Sequence, residues 1–330
     1  MKKYLNLIIL QFFFFGAMAQ APANKLQLPL TYVDGYGPYF QAMAGLSWDD
    51  ENPLNSWFKT YKDIKGIPPS WTAVKKGIIF FDIRQFAYQN YATGNISKDF
   101  YIELQNCWNW KPDTTLLSKT PINCFVYVVR GKNSAGKQML VVDSQGNLDV
   151  ADDTPFEPVK HPRASTPPLK ETIQVAYQKL IGGKVTDLKA PIMLKNDSSM
   201  LWFNIPRHAK AQFRQNGRNY DLNISNDFIS DDFSEARITL AQNKITTMQG
   251  MDSISNKGEY ITIGKKIYRN NGVIADRLEL EEITDTLENV SSGVARIENK
   301  YLLGQRTHTR AQTLAWFKPY QGSLSKLRHP

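Results

Sequence analysis

Apolar positions in this chain repeat mostly at the two-residue spacing of strands, and at helical spacing in only three short stretches. The first helical stretch is IRQFAYQNY, preceded by Asp82 and ending near Gly94. The second opens on Ser97, a favourable N-cap, with Asp99 in its first turn, where negative charge suits the helix dipole. Phe100, Leu104 and Trp108 fall on one face of it, and Pro112 ends it. The third spans Lys170–Ile181, with Ile173, Tyr177, Leu180 and Ile181 inward and Gly182-Gly183 as its stop.

Strand-like runs fill the rest. Cys124–Arg130 and Gln138–Asp143 flank GKNSAGK and predict a hairpin with a longer loop. Ala211–Gln215 and Arg218–Ile224 surround Asn216-Gly217, and Lys265–Arg269 and Val273–Ile274 surround Asn271-Gly272. Asn-Gly between strands is a strong hairpin signal, because both turn positions tolerate positive φ. Arg237–Leu240, Tyr260–Ile263 and Leu278–Ile283 add further strands. Gln20–Leu30 reads as an Ala/Pro/Lys entry segment, Thr31–Trp57 is aromatic and Gly-rich with no clean period, and Trp71–Phe81 reads as a linker with a short strand. The expected fold class is α+β: antiparallel β-rich hairpins in a meander, a few helices and a disordered basic C-terminal tail. The expected organisation is a signal peptide over 1–19, an aromatic-rich α+β region over 20–154 and a Pro-rich connector over 155–169. A helix plus β-rich region over 170–303 and a poorly ordered tail over 304–330 complete it.

The N-terminal segment changes the picture of where the protein works. Lys2 and Lys3 precede an apolar run, and Ala17-Met18-Ala19 forms an A-x-A cleavage site. The run is too short to span a bilayer, which needs roughly 20 apolar residues. The expectation is an exported protein, periplasmic or associated with the cell envelope, with no membrane span after signal cleavage. The net charge of +9 changes little. The two N-terminal lysines and five basic residues in Tyr301–Pro330 account for seven of it, leaving +2 for residues 4–300. Such a body carries no electrostatic footprint for nucleic acid.

Candidate chemistry is sparse. Cys107 and Cys124 are the only cysteines and do not form a C-x-x-C. An oxidising compartment and an even count favour a structural disulfide between them, closing a loop of about 18 residues. Two reduced cysteines and a redox pair are the alternatives. In the acidic stretch Asp143–Asp153, oxygen-bearing Asp143, Gln145, Asn147 and Asp149 alternate as the ligands of a structural Ca²⁺ loop do. Leu148 stands where an EF-hand has glycine and Thr154 where it has a bidentate Glu, and the competing reading is a turn whose side chains cap their own backbone. His161, His208, His308 and His329 have no metal-ligand spacing. Asp49-Asp50, Asp231-Asp232 and Glu281-Glu282 read as solvated turns. There is no G-x-S-x-G, P-loop or dinucleotide fingerprint, so neither catalytic nor cofactor-binding residues are assigned.

Four N-terminal strings, LPLTYVDGYGPYF, YQNYATGNISKDF, WNWKPDT and VVDSQGNLDVADD, together with GEYITIGKKIYRNNGV through LELEEI, carry a family likeness. Over roughly residues 28–300 the chain resembles the N-terminal region of exported thioredoxin-fold thiol-disulfide oxidoreductases of the TlpA type. The resemblance implies a W-C-x-x-C domain near residue 300. Gly304–Pro330 holds no cysteine, so the catalytic pair has no counterpart and the break suits a truncated or frameshifted product. Two functions follow as expectations. One is a non-catalytic accessory module, with an envelope protein as its partner. The other is an envelope ligand-binding protein, for instance for glycans, with Trp110 or Trp202 as the stacking surface. The oligomeric state is left open.

Overall fold

In the computed structural model the described residues are 25–39, 43–49, 52–161, 168–197, 200–226, 228–241 and 254–283, with the backbone of two further strands at 294–297 and 300–303. Residues 1–19, the expected signal peptide, and residues 304–330, the expected tail, lie outside them. Strands dominate, and two α-helices occur among the described residues. Every pairing between named strands is antiparallel.

Two β-sandwiches account for the two largest cores. The first packs a sheet of β4 (Thr72–Phe80), β5 (Phe125–Lys132) and β6 (Gln138–Val142) on a sheet ordered β3-β9-β8-β7. That second sheet comprises β3 (Ala44–Gly45), β7 (Ile173–Ile181), β8 (Lys184–Asn196) and β9 (Leu201–Asn204). Ile79, Val126, Val128 and Leu140 of one sheet meet Val175, Tyr177, Ile192 and Phe203 of the other. Alternation along each strand is what brings these residues to one face.

The other face of β4 and β5 carries Ile78, Phe125 and Tyr127 and is covered by helix α1 (Ile83–Ala92) through Phe86. Asp82 caps α1 by accepting from Gln85 N at 2.8 Å. Helix α2 (Lys98–Cys107) starts as expected at Ser97, whose Oγ accepts from Phe100 N at 3.2 Å. It packs on α1 through an aromatic layer in which Tyr91 and Tyr101 stack at 4.5 Å.

The second sandwich faces β12-β11-β10-β2 against β1-β15-β14-β13. Its strands are β1 (Lys25–Pro29), β2 (Thr31–Asp34), β10 (Arg207–Gln215), β11 (Arg218–Ser225), β12 (Arg237–Leu240), β13 (Tyr260–Ile263), β14 (Lys266–Ile274) and β15 (Arg277–Ile283). Leu28, Ala209, Leu222, Ile224, Ile263, Leu278 and Leu280 fill its interior. A short hairpin, β16 (Val294–Ile297) with β17 (Lys300–Leu303), follows.

The chain visits the second sandwich twice. β1 pairs with β15 and β2 with β10, so the first sandwich is an insertion between β2 and β10. The exit and the return are tied together where Gly35 N donates to Pro206 O at 2.5 Å. The Pro-rich stretch therefore does not separate two cores, since β6 and β7 on either side of it share one. Its described ends pair instead, Phe156 with Leu140 and Lys160 with Asn196.

Three expectations about elements are corrected. Lys170–Ile181 is not a helix: β7 buries Val175 and Tyr177 at alternate positions, and Gly182-Gly183, at φ +57° and +78°, is the two-residue turn into β8. Asn271-Gly272 is not a hairpin turn. Strand β14 runs through it with a bulge between Asn270 and Val273, and the chain reverses at Ala275-Asp276, whose φ values are +48° and +64°. Residues 25–34, read as an entry segment and the start of an irregular stretch, form two strands. The Asn216-Gly217 turn forms as expected, joining Gln215 to Arg218.

Candidate functional site: a cleft between the two sandwiches

A buried ionic knot joins the sandwiches. Tyr177 on β7 donates to Asp231 Oδ2 at 2.5 Å and accepts from Arg207 Nη1 of β10 at 2.9 Å. Lys179, two residues along β7, donates to Asp231 O at 2.9 Å. Asp231 Oδ1 lies 3.5 Å from Arg207 Nη1, an ion pair without a hydrogen bond. Arg207 also stacks over the Tyr32 ring at 4.5 Å, and Tyr32 in turn donates to Asp276. Tyr177 stacks on Phe81 at 4.1 Å, and Asp231 N donates to Phe81 O at 2.9 Å. Burial, and then the Asp231 charge, pushes the Tyr177 phenol far above its ordinary range, so it acts as a neutral donor.

Beside this knot opens a cleft of about 380 Å³. Its walls come from both sandwiches: α1 and the β7–β8 turn on one side, the 232–234 segment and the β14–β15 turn on the other, with the loop after α2 at the mouth. Trp110 is half-buried there, with the Arg84 guanidinium 5.9 Å over its ring. Arg84 Nη1 also donates to Asp232 Oδ2 at 3.1 Å and Ser234 Oγ at 2.9 Å. Ser234 donates its backbone N–H to Asp232 Oδ1 and its hydroxyl to Asp232 Oδ2. Desolvation, and then the Asp232 charge, raises the Asp82 carboxyl above its ordinary range. Asp113 goes the other way, held down by bonds from the Thr115 hydroxyl and backbone N–H. Exposed apolar groups also line the cleft, Leu116 at 44% and Ile274 at 46% of their surface.

The β14 bulge shapes one wall. A Cβ at Gly272 would lie 2.3 Å from Ser234 O, and its φ of +85° also favours glycine. Asn270 fixes the bulge by accepting from Gly272 N at 2.9 Å and donating to Ala236 O and Ser255 O.

The residues singled out in the sequence scatter. Cys107 and Cys124 are not bonded: both are free, Cys107 exposed at the end of α2 and Cys124 fully buried beneath α1. Burial, and then the Asp82 charge, pushes the Cys124 thiol well above its ordinary range, which suppresses thiolate chemistry. Asp143 is buried, and its two carboxylate oxygens accept from Asn147 N and Leu148 N, both at 3.0 Å. Asn147 accepts from Asp149 N, and Asp149 from Ala151 N. Gln145 is exposed. The alternation of oxygens thus serves successive backbone turns, with Leu148 itself at φ +63°. No group of three or more His, Cys, Asp or Glu among the described residues has a metal-holding arrangement.

His161 pairs with Glu171 at 2.8 Å, and His208 is buried against Gly35 O. His308 and His329 lie outside the described residues. Trp202 is half-buried on β9, its Nε1 donating to Asp197 at 2.8 Å, and does not line the cleft. Asp231-Asp232 is no solvated turn: Asp231 is 1% exposed and is the hub of the knot. Arg84, Lys179 and Arg207 escaped the sequence reading, since single basic residues on strands and helix starts carry no local signature.

No helix among the described residues is long and apolar enough to cross a membrane. The chain matches no family model, no curated protein and no solved structure.

Proposed function

We propose that this chain is a non-catalytic binding module of the cell envelope whose inter-sandwich cleft takes a hydroxyl-rich ligand, a glycan. One observation carries the reading: a half-buried indole shares one cleft with apolar groups such as exposed Leu116 and Ile274, Leu117, Ile181 and Val273, and with polar and charged side chains including Arg84, Asp113, Lys179, Asp232 and Ser234. Sugar rings present just this mixture, apolar C–H faces that stack on aromatic rings and hydroxyls that bond to carboxylates, amides and guanidinium groups. Clefts between packed units are preferred ligand sites. Arg84, Asp232 and Ser234 hold one another, so the cleft offers a preset polar wall rather than free charges.

The test is a glycan array with the mature chain and two variants. Trp110→Ala abolishes binding and Trp202→Ala leaves it intact. Binding that survives Trp110→Ala, or no binding at millimolar sugar, rejects the reading.

The likeness to TlpA-type N-terminal regions favours a companion reading, an accessory module to a thiol oxidoreductase. The buried, raised Cys124 thiol and the exposed Cys107 are consistent with a module that performs no dithiol exchange itself. Robust insulin reduction by this chain would contradict it.

A further inference from the structure

Away from the cleft, two cavities meet at one carboxylate. The first, about 290 Å³, lies between the 47–61 segment, β4 and α1, and is walled by Trp48, Trp57, Tyr61, Phe80 and Phe86. The second is a surface groove bearing Lys59, Lys62, Lys75 and Lys76. Asp49 lines both.

Among the described residues, the charges lining the groove are unbalanced. None of its four lysines makes an ion pair among the described residues. Lys62 and Lys76 are half-buried, and among the described residues Lys76 Nζ donates only to Lys62 O, at 3.3 Å. Against them stand the carboxylates of Asp49 and Asp63. Asp49 is anchored through its backbone, its N–H donating to Lys76 O at 2.7 Å, while its Oδ2 is buried with no hydrogen-bond partner among the described residues. A buried, unmatched oxygen costs about 1–3 kcal/mol unless a donor or a proton reaches it.

An aromatic cavity opening onto a groove of surplus ammonium groups fits a molecule with a flat apolar body and an acidic head. We propose that this composite site binds a small aromatic carboxylate, its ring against Trp57, Tyr61 and Phe80 and its carboxylate on Lys62 and Lys76. The site is separate from the cleft and does not depend on the glycan reading.

Asp49 sets the pH dependence. Burial, opposed by Lys76, raises its carboxyl to about 6. Facing it are Lys75 and Lys76 from β4, Lys59, Tyr61, Lys62 and Asp63 from the preceding segment, and Tyr127 from β5. The Tyr127 phenol is raised by burial first and accepts from Lys62 N at 2.8 Å, so it stays neutral. Once protonated, Asp49 no longer repels a carboxylate head and has a proton to donate to it. Affinity therefore rises as pH falls from about 8 to about 5.5, a range in which the free ligand stays ionised.

The experiment is calorimetric titration of the full mature chain with 2-naphthaleneacetate and with the matched amine, 2-(2-naphthyl)ethylamine. The acid binds and the amine does not. The Lys62→Gln/Lys76→Gln double variant weakens the acid by about tenfold or more, the loss expected for hydrogen bonds to a charged group. Asp49→Asn binds the acid at about pH 8 as the native chain does at about pH 5.5, without further pH dependence. Trp110→Ala leaves acid binding unchanged, which separates this site from the cleft. Failure of the acid to bind at millimolar concentration, equal binding of the amine, or a pH slope retained in Asp49→Asn overturns the proposal.

Discussion

Replacing Tyr177 by Phe removes one oxygen from the knot that joins the sandwiches, and its cost follows from what that oxygen does. The hydroxyl donates to Asp231 at 2.5 Å and accepts from Arg207 at 2.9 Å. Without it Asp231 loses its short donor and Arg207 Nη1 its acceptor, while the ring keeps its stack on Phe81. Both partners are charged and at least nine-tenths buried, so water cannot replace the lost bonds. Hydrogen bonds to charged groups contribute about 1.5–3 kcal/mol, against about 1 kcal/mol for a neutral one. The internal control is Tyr39→Phe, also buried, which deletes a hydroxyl that donates to neutral backbone carbonyls, Asn223 O at 2.5 Å and Arg237 O at 3.3 Å. With a urea slope of about 3 kcal/mol/M, the Tyr177→Phe midpoint falls by about 0.5–1 M, against about 0.3 M for the control. The deficit stays constant between about pH 6 and 9, because the phenol titrates in neither state over that range. A Tyr177→Phe shift no larger than that of Tyr39→Phe would refute the claim that this knot is a main tie between the sandwiches.

Three further outcomes are expected. Gly272→Ala forces a Cβ against Ser234 O at a positive φ, and should lower stability by more than about 1 kcal/mol and weaken cleft binding together, checked by urea melts and titration. Titration with a thiol reagent should count one thiol in the native protein, Cys107, and two in denaturant; none in either would restore the disulfide. Asp143→Ala should cost about 1.5–3 kcal/mol by freeing two backbone N–H groups, and because Asp143 is already spent on those amides, millimolar calcium should leave the native melting temperature where EDTA leaves it.

Local signals were legible where local physics decides. Asp82 and Ser97 cap the two helices, Asn216-Gly217 turns β10 into β11, and the Phe125 hairpin forms where its alternation predicts. Tertiary contacts overrode the rest. Gly182-Gly183 stops a helix as readily as it turns a hairpin, and only pairing of β7 with β8 decides between them. Asn271-Gly272 has turn chemistry, yet Asn270 and the approach of Ser234 hold it as a bulge inside a strand. Strands β1 and β2 escape the sequence reading because each is short and pairs with a partner more than a hundred and seventy residues away, which no local signal announces. Of the cleft, Trp110 stood out in the sequence as a ligand contact, whereas Asp232 was noted only within a carboxylate pair and Gly182-Gly183 and Asn271 only as turn signals. Arg84, Lys179 and Asp232 come together through the insertion of one sandwich into the other, which no spacing in the chain encodes.

The most direct test of the cleft as the binding site is hydrogen–deuterium exchange of the chain with and without a saturating oligosaccharide chosen from the array. The account predicts slowed exchange confined to residues 82–84, 110–117, 179–183, 232–234 and 271–276, which line the cleft from both sandwiches. Protection centred on Trp202 and β9, or protection nowhere despite saturation, would contradict it.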